Sequence, residues 1–150
     1  MSDIKLLLVD DEESFVRTLS ERLQLRDLAS HTVFDGEQAL GFIEDKEPDV
    51  MILDLRMPGI DGLEVLRLVR AKYPLMQVII QTGHGNDMDE AEARRLGVFD
   101  YLKKPVDIEL LVDRIREAHR QKLTNVMSAT AFAEAGEHDS AREILATRRG

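Results

Sequence analysis

The chain has 150 residues, 43% of them apolar, which suits one domain with one hydrophobic core; it has no cysteine, which excludes disulfides, thiolate metal sites and a cysteine nucleophile. Its formal net charge of −9, with basic residues scattered and never in a run longer than a pair, argues against direct nucleic-acid binding. No apolar run approaches the roughly 18 residues of a membrane span, and Met1-Ser2-Asp3-Ile4-Lys5 lacks the layout of a signal peptide, so the expectation is a cytoplasmic protein with no membrane partner.

The first predicted strand is Ile4–Val9, followed by Asp10-Asp11 and a helix with Phe15, Val16, Leu19 and Leu23 at helical spacing. A second strand, Ala29–Phe34, leads to Asp35-Gly36-Glu37-Gln38, which resembles a capping box ahead of Ala39, Leu40 and Ile43. The third strand, Val50–Leu53, stops at Asp54; Met57-Pro58, Gly59 and Gly62 shape the turn after it. Asp61-Gly62-Leu63-Glu64 then opens a helix with Leu66, Val69 and Tyr73. The fourth strand, Gln77–Ile80, is followed by Gln81-Thr82-Gly83. Asn86 can cap the helix holding Ala91, Ala93 and Leu96, and Gly97 can end it. The fifth strand, Phe99–Leu102, meets Lys103-Lys104-Pro105, and Asp107 can cap a last helix carrying Leu111, Ile115 and Ala118.

Several of these runs are apolar on both faces, as strands of a parallel sheet are. The alternation predicts a doubly wound (βα)5 fold, flavodoxin-like, with strand order 2-1-3-4-5. The expected division is a main domain over residues 1–121 and a helical C-terminal extension over 122–150.

All strands of such a sheet end on one edge, and ligands bind there at the switch in strand order. Asp10, Asp11 and Asp54 reach that edge from the first and third strands, Thr82 from the fourth and Lys104 from the fifth. Singly, each is ordinary: an Asp after a strand is usually a turn or cap residue, and the acid run from Asp10 suits a helix N-terminus. Together they form a constellation. Like charges raise one another's pKa, and a hard divalent cation such as Mg²⁺, or Mn²⁺ in its place, relieves them. Asp54 then stays ionised and can attack a phosphoryl group as a carboxylate nucleophile, while Lys104 and Thr82 neutralise phosphoryl oxygens.

The segments "LLLVDDEESF", "PDVMILDLRMPGIDGLEVL", "VIIQTGHG" and "GVFDYLKKPVDIELL" resemble the receiver domains of bacterial two-component systems, nearest in style to nitrogen-regulator receivers, over roughly residues 3–121. The resemblance implies Asp54 as phosphoacceptor, with Asp10, Asp11, Asp54 and the main-chain carbonyl of Arg56 around the metal. It implies Thr82 as the hydroxyl closing the fourth strand and Lys104 as the ammonium before the proline, a cis Lys104-Pro105 bond, and Tyr101 as an aromatic switch that turns inward as Thr82 moves toward the phosphoryl group. Arg56 and His84 are candidates for tuning the lifetime of the acyl phosphate. Implied partners are a sensor histidine kinase or phosphotransfer protein and a downstream protein reading the face of the fourth helix, fifth strand and fifth helix; a second copy of the chain is a further candidate. Such a phosphorelay module is no enzyme beyond its own phosphorylation and dephosphorylation. Alternatives are the regulatory piece of a longer transcription factor, or an Asp-nucleophile phosphatase of the haloacid-dehalogenase type. The last needs a second Asp where this chain has Glu12.

In the extension, Val126, Ala129, Phe132 and Ala133 share one helical face, Gly136 breaks the run, and Ala141, Ile144 and Leu145 form a second face. The spacing resembles a tetratricopeptide-type helix pair, which cannot bury its apolar face alone. The expectation is two helices docked on the main domain, on a second copy or on a partner. The alternative is an extended fifth helix with a frayed end.

Overall fold

The computed structural model describes residues 3–134. The elements are β1 (Leu6–Val9), α1 (Glu13–Gln24), β2 (Ser30–Val33), α2 (Gly36–Asp45), β3 (Val50–Leu53), α3 (Gly62–Lys72), β4 (Gln77–Thr82), α4 (Asp87–Arg95), β5 (Asp100–Lys103) and α5 (Ile108–Glu134). The five strands are parallel in the order β2-β1-β3-β4-β5, as expected.

Period-two alternation along the strands divides the core. Leu7, Val9, Met51, Leu53, Val78 and Ile80 face one side, where α2, α3 and α4 bring Ala39, Ile43, Val65, Leu66, Val69 and Ala93. Leu6, Leu8, Val50, Ile52 and Ile79 face the other, against Val16, Leu19 and Leu23 of α1 and Leu111, Ile115 and Ala118 of α5. β1, β3 and β4 are buried along their whole length, which is why they read as unbroken apolar runs.

The helix starts follow the sequence signals, with refinements. The Asp35 and Asp61 carboxylates accept from the N–H groups of Gln38 and Glu64. The Gln38 side chain, however, accepts from the N–H of Phe34 rather than from that of Asp35, so the α2 box closes one residue early. Asn86 and Asp89 form a complete reciprocal box at α4. Asp107 caps α5 through the N–H of Leu110. Gly97 ends α4 with φ of +90°, and Gly59 turns the chain after β3 with φ of +78°. Within α4 only Ala93 is buried; Ala91, read from sequence as part of its apolar face, is exposed.

β4 runs two residues past the apolar stretch, through Gln81 and Thr82, which pair with Leu102 and Lys103 of β5. α5 is the longest helix described. It passes residue 121 without a break and includes the first tail face as far as Glu134, whereas Gly136, Ala141, Ile144 and Leu145 lie outside the described residues.

One clamp fastens the lower part of α5 to the N-terminal edge of the sheet. Asp49, just before β3, accepts from the Lys5 N–H at 2.8 Å and from Lys122 Nζ at 2.5 Å, with His119 Nε2 at 4.0 Å. Burial alone would raise the Asp49 carboxyl, but Lys122, the Lys5 N–H and His119 together outweigh it and leave the pKa lowered. A carboxyl held low in the fold stabilises it above the ordinary carboxylate range, and this is lost as pH falls through the folded value. Lys122→Met should therefore cost about 1–2 kcal/mol at pH 7, between the values for exposed and fully buried pairs. The difference from wild type should shrink on acidification; denaturant titrations at stepped pH measure it, and a pH-independent difference would dissociate the cost from the ion pair.

Candidate functional site

The register of the sheet sets the site. Val9 pairs with Leu53, so the residues that follow them, Asp10 and Asp54, leave neighbouring strands side by side. Leu53 pairs with Ile80 and Thr82 with Lys103, which brings Thr82 and then Lys104 to the same edge. Asp10, Asp54 and Thr82 are 4%, 2% and 1% exposed, so this is a buried polar cluster rather than a solvated rim.

Lys104 joins the carboxylates. Its Nζ lies 2.7 Å from Asp10 Oδ2, 3.6 Å from Glu12 Oε1 and 3.9 Å from Asp54 Oδ2. It also lies 4.2 Å from the centroid of the Phe15 ring, which receives the cation on its face. The Lys104-Pro105 bond is cis, as the resemblance implied. Burial works to lower the Lys104 pKa, but contact with Asp10 and the charges of Asp54 and Glu12 prevail and raise it. Asp10 is fixed on both oxygens, Oδ1 accepting from the Glu12 N–H at 2.9 Å while Oδ2 meets Lys104.

Asp54 is less well compensated. Burial, with the nearby charge of Asp10, pushes its carboxyl up, against the Thr82 hydroxyl, the Lys104 charge and the Leu55 N–H, which pull it down. Its Oδ1 is buried with no hydrogen-bond partner among the described residues. Carboxylate oxygens of Asp10, Glu12 and Asp54 lie within 4.8 Å of one another. A hard cation fits this donor set: all ligands are oxygen, and one is an orphaned buried acceptor.

The other sequence candidates are placed as follows. Asp11 is exposed and stands outside that carboxylate group; it lines a depression with Glu12, Arg56 and His84. Glu12, read from sequence only as acid at a helix start, brings a third carboxylate oxygen close to those of Asp10 and Asp54. Arg56 is exposed, and its Nη2 pairs with Asp89 Oδ2 of α4 at 3.2 Å. The His84 side chain is exposed, while its N–H donates to Thr82 Oγ1 at 3.3 Å. Tyr101 lies inside at 5% exposure and belongs to the α2–α4 side of the core. Phe15 was read from sequence as a core position, yet it also floors the Lys104 ammonium. Gly62 has a spatial role: a Cβ there would meet the Asp54 carbonyl oxygen at 2.3 Å, so only glycine lets α3 start against the Asp54 backbone. A larger cavity, lined by Ile4, Lys5, His31, Phe42 and Pro48 among others, contains none of these residues. We assign the chemistry to the carboxylate edge, where charge and burial coincide.

Comparison with known proteins identifies the family. The model of the response regulator receiver domain family matches residues 6–116. The DNA-binding transcriptional regulator NtrC of Klebsiella pneumoniae is 41% identical over 111 residues, or 71% of this chain. Regulatory protein AtoC of Escherichia coli K12 is 35% identical over 121 residues, or 79% of this chain. This chain spans only 24% and 26% of the length of those two curated relatives. Among solved structures, the receiver domain of NtrX from Brucella abortus superposes with a TM-score of 0.73 at 30% identity, covering 77% of this chain and 98% of that one. The receiver domain of Francisella response regulator 1452 gives 0.74 at 27% identity, covering 79% and 98%. No helix among the described residues is long and apolar enough to cross a membrane. By the extent of the family match and the identity of these relatives, the chain belongs to the response regulator receiver domains of two-component systems.

Proposed function

We propose that this receiver accepts a phosphoryl group on Asp54 from a sensor histidine kinase or a phosphotransfer protein and uses it to change a protein-interaction surface. The observation that carries the reading is the Asp54 carboxylate, buried at the strand edge with one oxygen unpartnered among the described residues and Lys104 Nζ 3.9 Å from the other. A carboxylate oxygen of Asp54 attacks phosphorus, the bond to the donor nitrogen breaks, and that nitrogen leaves with its electron pair and takes up a proton. Lys104 meets the added oxygen charge, and the Thr82 hydroxyl supplies a donor beside it. Lys104 already stands beside Asp54, and Thr82 is the hydroxyl that moves toward the phosphoryl group.

Asp10, Asp54, either Asp11 or Glu12, and the Arg56 main-chain carbonyl would hold a Mg²⁺ or Mn²⁺ ion. The ion would supply charge neutralisation at the phosphoryl oxygens. Arg56 and His84, on the rim, would govern water access to the acyl phosphate and so its lifetime. The signalling face is that of α4, β5 and α5, with Tyr101 at its centre. The expected extension to the receiver of residues 1–121 is represented by the run of α5 from residue 122 to Glu134, through which a partner or a second copy docks; residues 135–150 lie outside the described residues. The setting we infer is the cytoplasm, where such donors act.

A second reading, in which the same receiver regulates a longer DNA-binding transcription factor, is favoured by the quarter-length match to relatives of that description. The mass of the polypeptide in cells that make it distinguishes the two.

Incubation with acetyl phosphate and Mg²⁺ should add one phosphoryl group, read by intact mass; Asp54→Asn and EDTA should each remove the addition. Undiminished labelling of Asp54→Asn would place the acceptor elsewhere.

The strained carboxylate gives an independent test. A carboxyl whose folded pKa is raised destabilises the fold progressively as pH rises from its ordinary value through the raised one. Without metal, Asp54→Asn should stabilise the chain at pH 7, by about 0.5–2 kcal/mol as single stabilising substitutions do. Saturating Mg²⁺ should stabilise wild type and have much less effect on the variant. Equal Mg²⁺ shifts in melting temperature for both proteins would remove Asp54 from the metal set.

A further inference from the structure

Tyr101 and Gly85 meet closely across the β4–α4 connection. A Cβ placed on Gly85 would lie 1.7 Å from Tyr101 Oη, 3.0 Å from its Cζ and 3.1 Å from Thr82 Cγ2. The first distance is far below any real contact. The backbone of Gly85 lies outside the left-handed region, so the residue is not glycine for conformational reasons. What the position lacks is volume, and the tip of the phenol occupies it.

The rest of the surroundings hold the ring by shape. Tyr101 is 5% exposed and packs in the core beneath α4. Among the described residues its hydroxyl has no hydrogen-bond partner, although it is buried. Burial, and next the charges of Asp89 and Glu90, raise its pKa, consistent with a neutral phenol enclosed beside acid. Nothing polar latches the ring, so available space decides whether it stays.

We propose that Gly85 is the positioning residue for Tyr101: the missing side chain at 85 forms the seat of the phenol, and a methyl group there expels the ring from the core. Thr82 borders the same space, so Thr82 and Tyr101 share one wall. On the phosphorylation reading above, on which this consequence rests, a side chain at 85 uncouples the ring from Thr82 while leaving Asp54, Lys104 and the carboxylate group untouched.

The test is nitration of the full chain by tetranitromethane, read by peptide mass spectrometry, with half-buried Tyr73 as internal reference. In wild type Tyr101 should react at least tenfold more slowly than Tyr73. In Gly85→Ala the two should react at comparable rates. If Gly85→Ala fails to fold, Gly85→Ala with Tyr101→Leu should fold, because the obstructing phenol is gone. Fast nitration of Tyr101 in wild type overturns the proposal, and so does a folded Gly85→Ala in which Tyr101 stays protected. A double variant that still fails to fold overturns it as well, by placing the obstruction elsewhere. Acetyl phosphate labelling of the same two proteins separates the hypotheses. Loss of labelling in wild type would remove the proposed chemistry and leave the seat standing, whereas normal labelling with Tyr101 still protected in Gly85→Ala would do the reverse.

Discussion

The contact between Lys104 and Asp10 is the interaction on which the rest of the site depends. Two carboxylates sit nearly enclosed at the end of adjacent central strands, an arrangement that charge repulsion and desolvation both oppose. One ammonium, 2.7 Å from Asp10 and itself supported by the Phe15 ring, makes it tenable. Burial, helped by the charge of Asp10, still raises the Asp54 carboxyl, since the ammonium lies closer to Asp10 and offsets this only in part; Asp54 Oδ1 has no hydrogen-bond partner among the described residues. The two carboxylates are thus held differently: Asp10 is fixed by hydrogen bonds on both oxygens, and Asp54 has one oxygen with no hydrogen-bond partner among the described residues.

The parallel sheet is what allows such an asymmetry to be built with little local machinery. Side chains leaving strand ends at a common edge are set by ladder register alone, and each ladder here is continuous through the buried strands. The apolar core on both faces fixes that register, since a slip of one residue would exchange the two faces of every strand. Polar chemistry at the edge is thus held by apolar packing below it. The Asp49–Lys122 pair performs a matching task at the opposite edge, tying α5 to the sheet beyond the last residue of the family match.

Much of this was legible in the sequence because it depends on period and strand ends. The strand order, the clustering of Asp10, Asp54, Thr82 and Lys104, and four of the five helix caps follow from local pattern. What was not legible depends on contacts across the chain. β4 could not be seen to reach Gln81 and Thr82, since polarity ended the apolar run while pairing with β5 continued the strand. Glu12 was hidden among helix-start acids, and only folding brings its carboxylate nearer than that of Asp11 to the buried pair. Gly85 carried no signal of its own in the sequence, because the residue that fills its space lies 16 positions away, at Tyr101. The run of α5 past residue 121 corresponds to the alternative of an extended fifth helix; what sequence pattern did not single out is Asn125, buried at 3%, which continues the inward face of that helix.

The helices differ in what holds them, and that difference decides where a change of charge can act. α3 buries Val65, Leu66 and Val69, and α5 buries Leu111, Val112, Ile115 and Ala118, so both are anchored by area removed from water. α4 buries Ala93 alone within its length. Its attachments are largely ionic: Arg56 to Asp89, Arg67 to Glu92 at 3.7 Å, and Arg94 to Asp100 at 3.7 Å. Pairs this exposed contribute little stability and respond to added charge. Arg56, in the loop that follows Asp54, is the residue that ties this loop to Asp89 of α4. Asp89 also closes the Asn86 box that starts α4, and α4 covers the core in which Tyr101 sits. A charge added at the strand edge therefore meets least resistance in α4, the helix held by charge rather than by buried area.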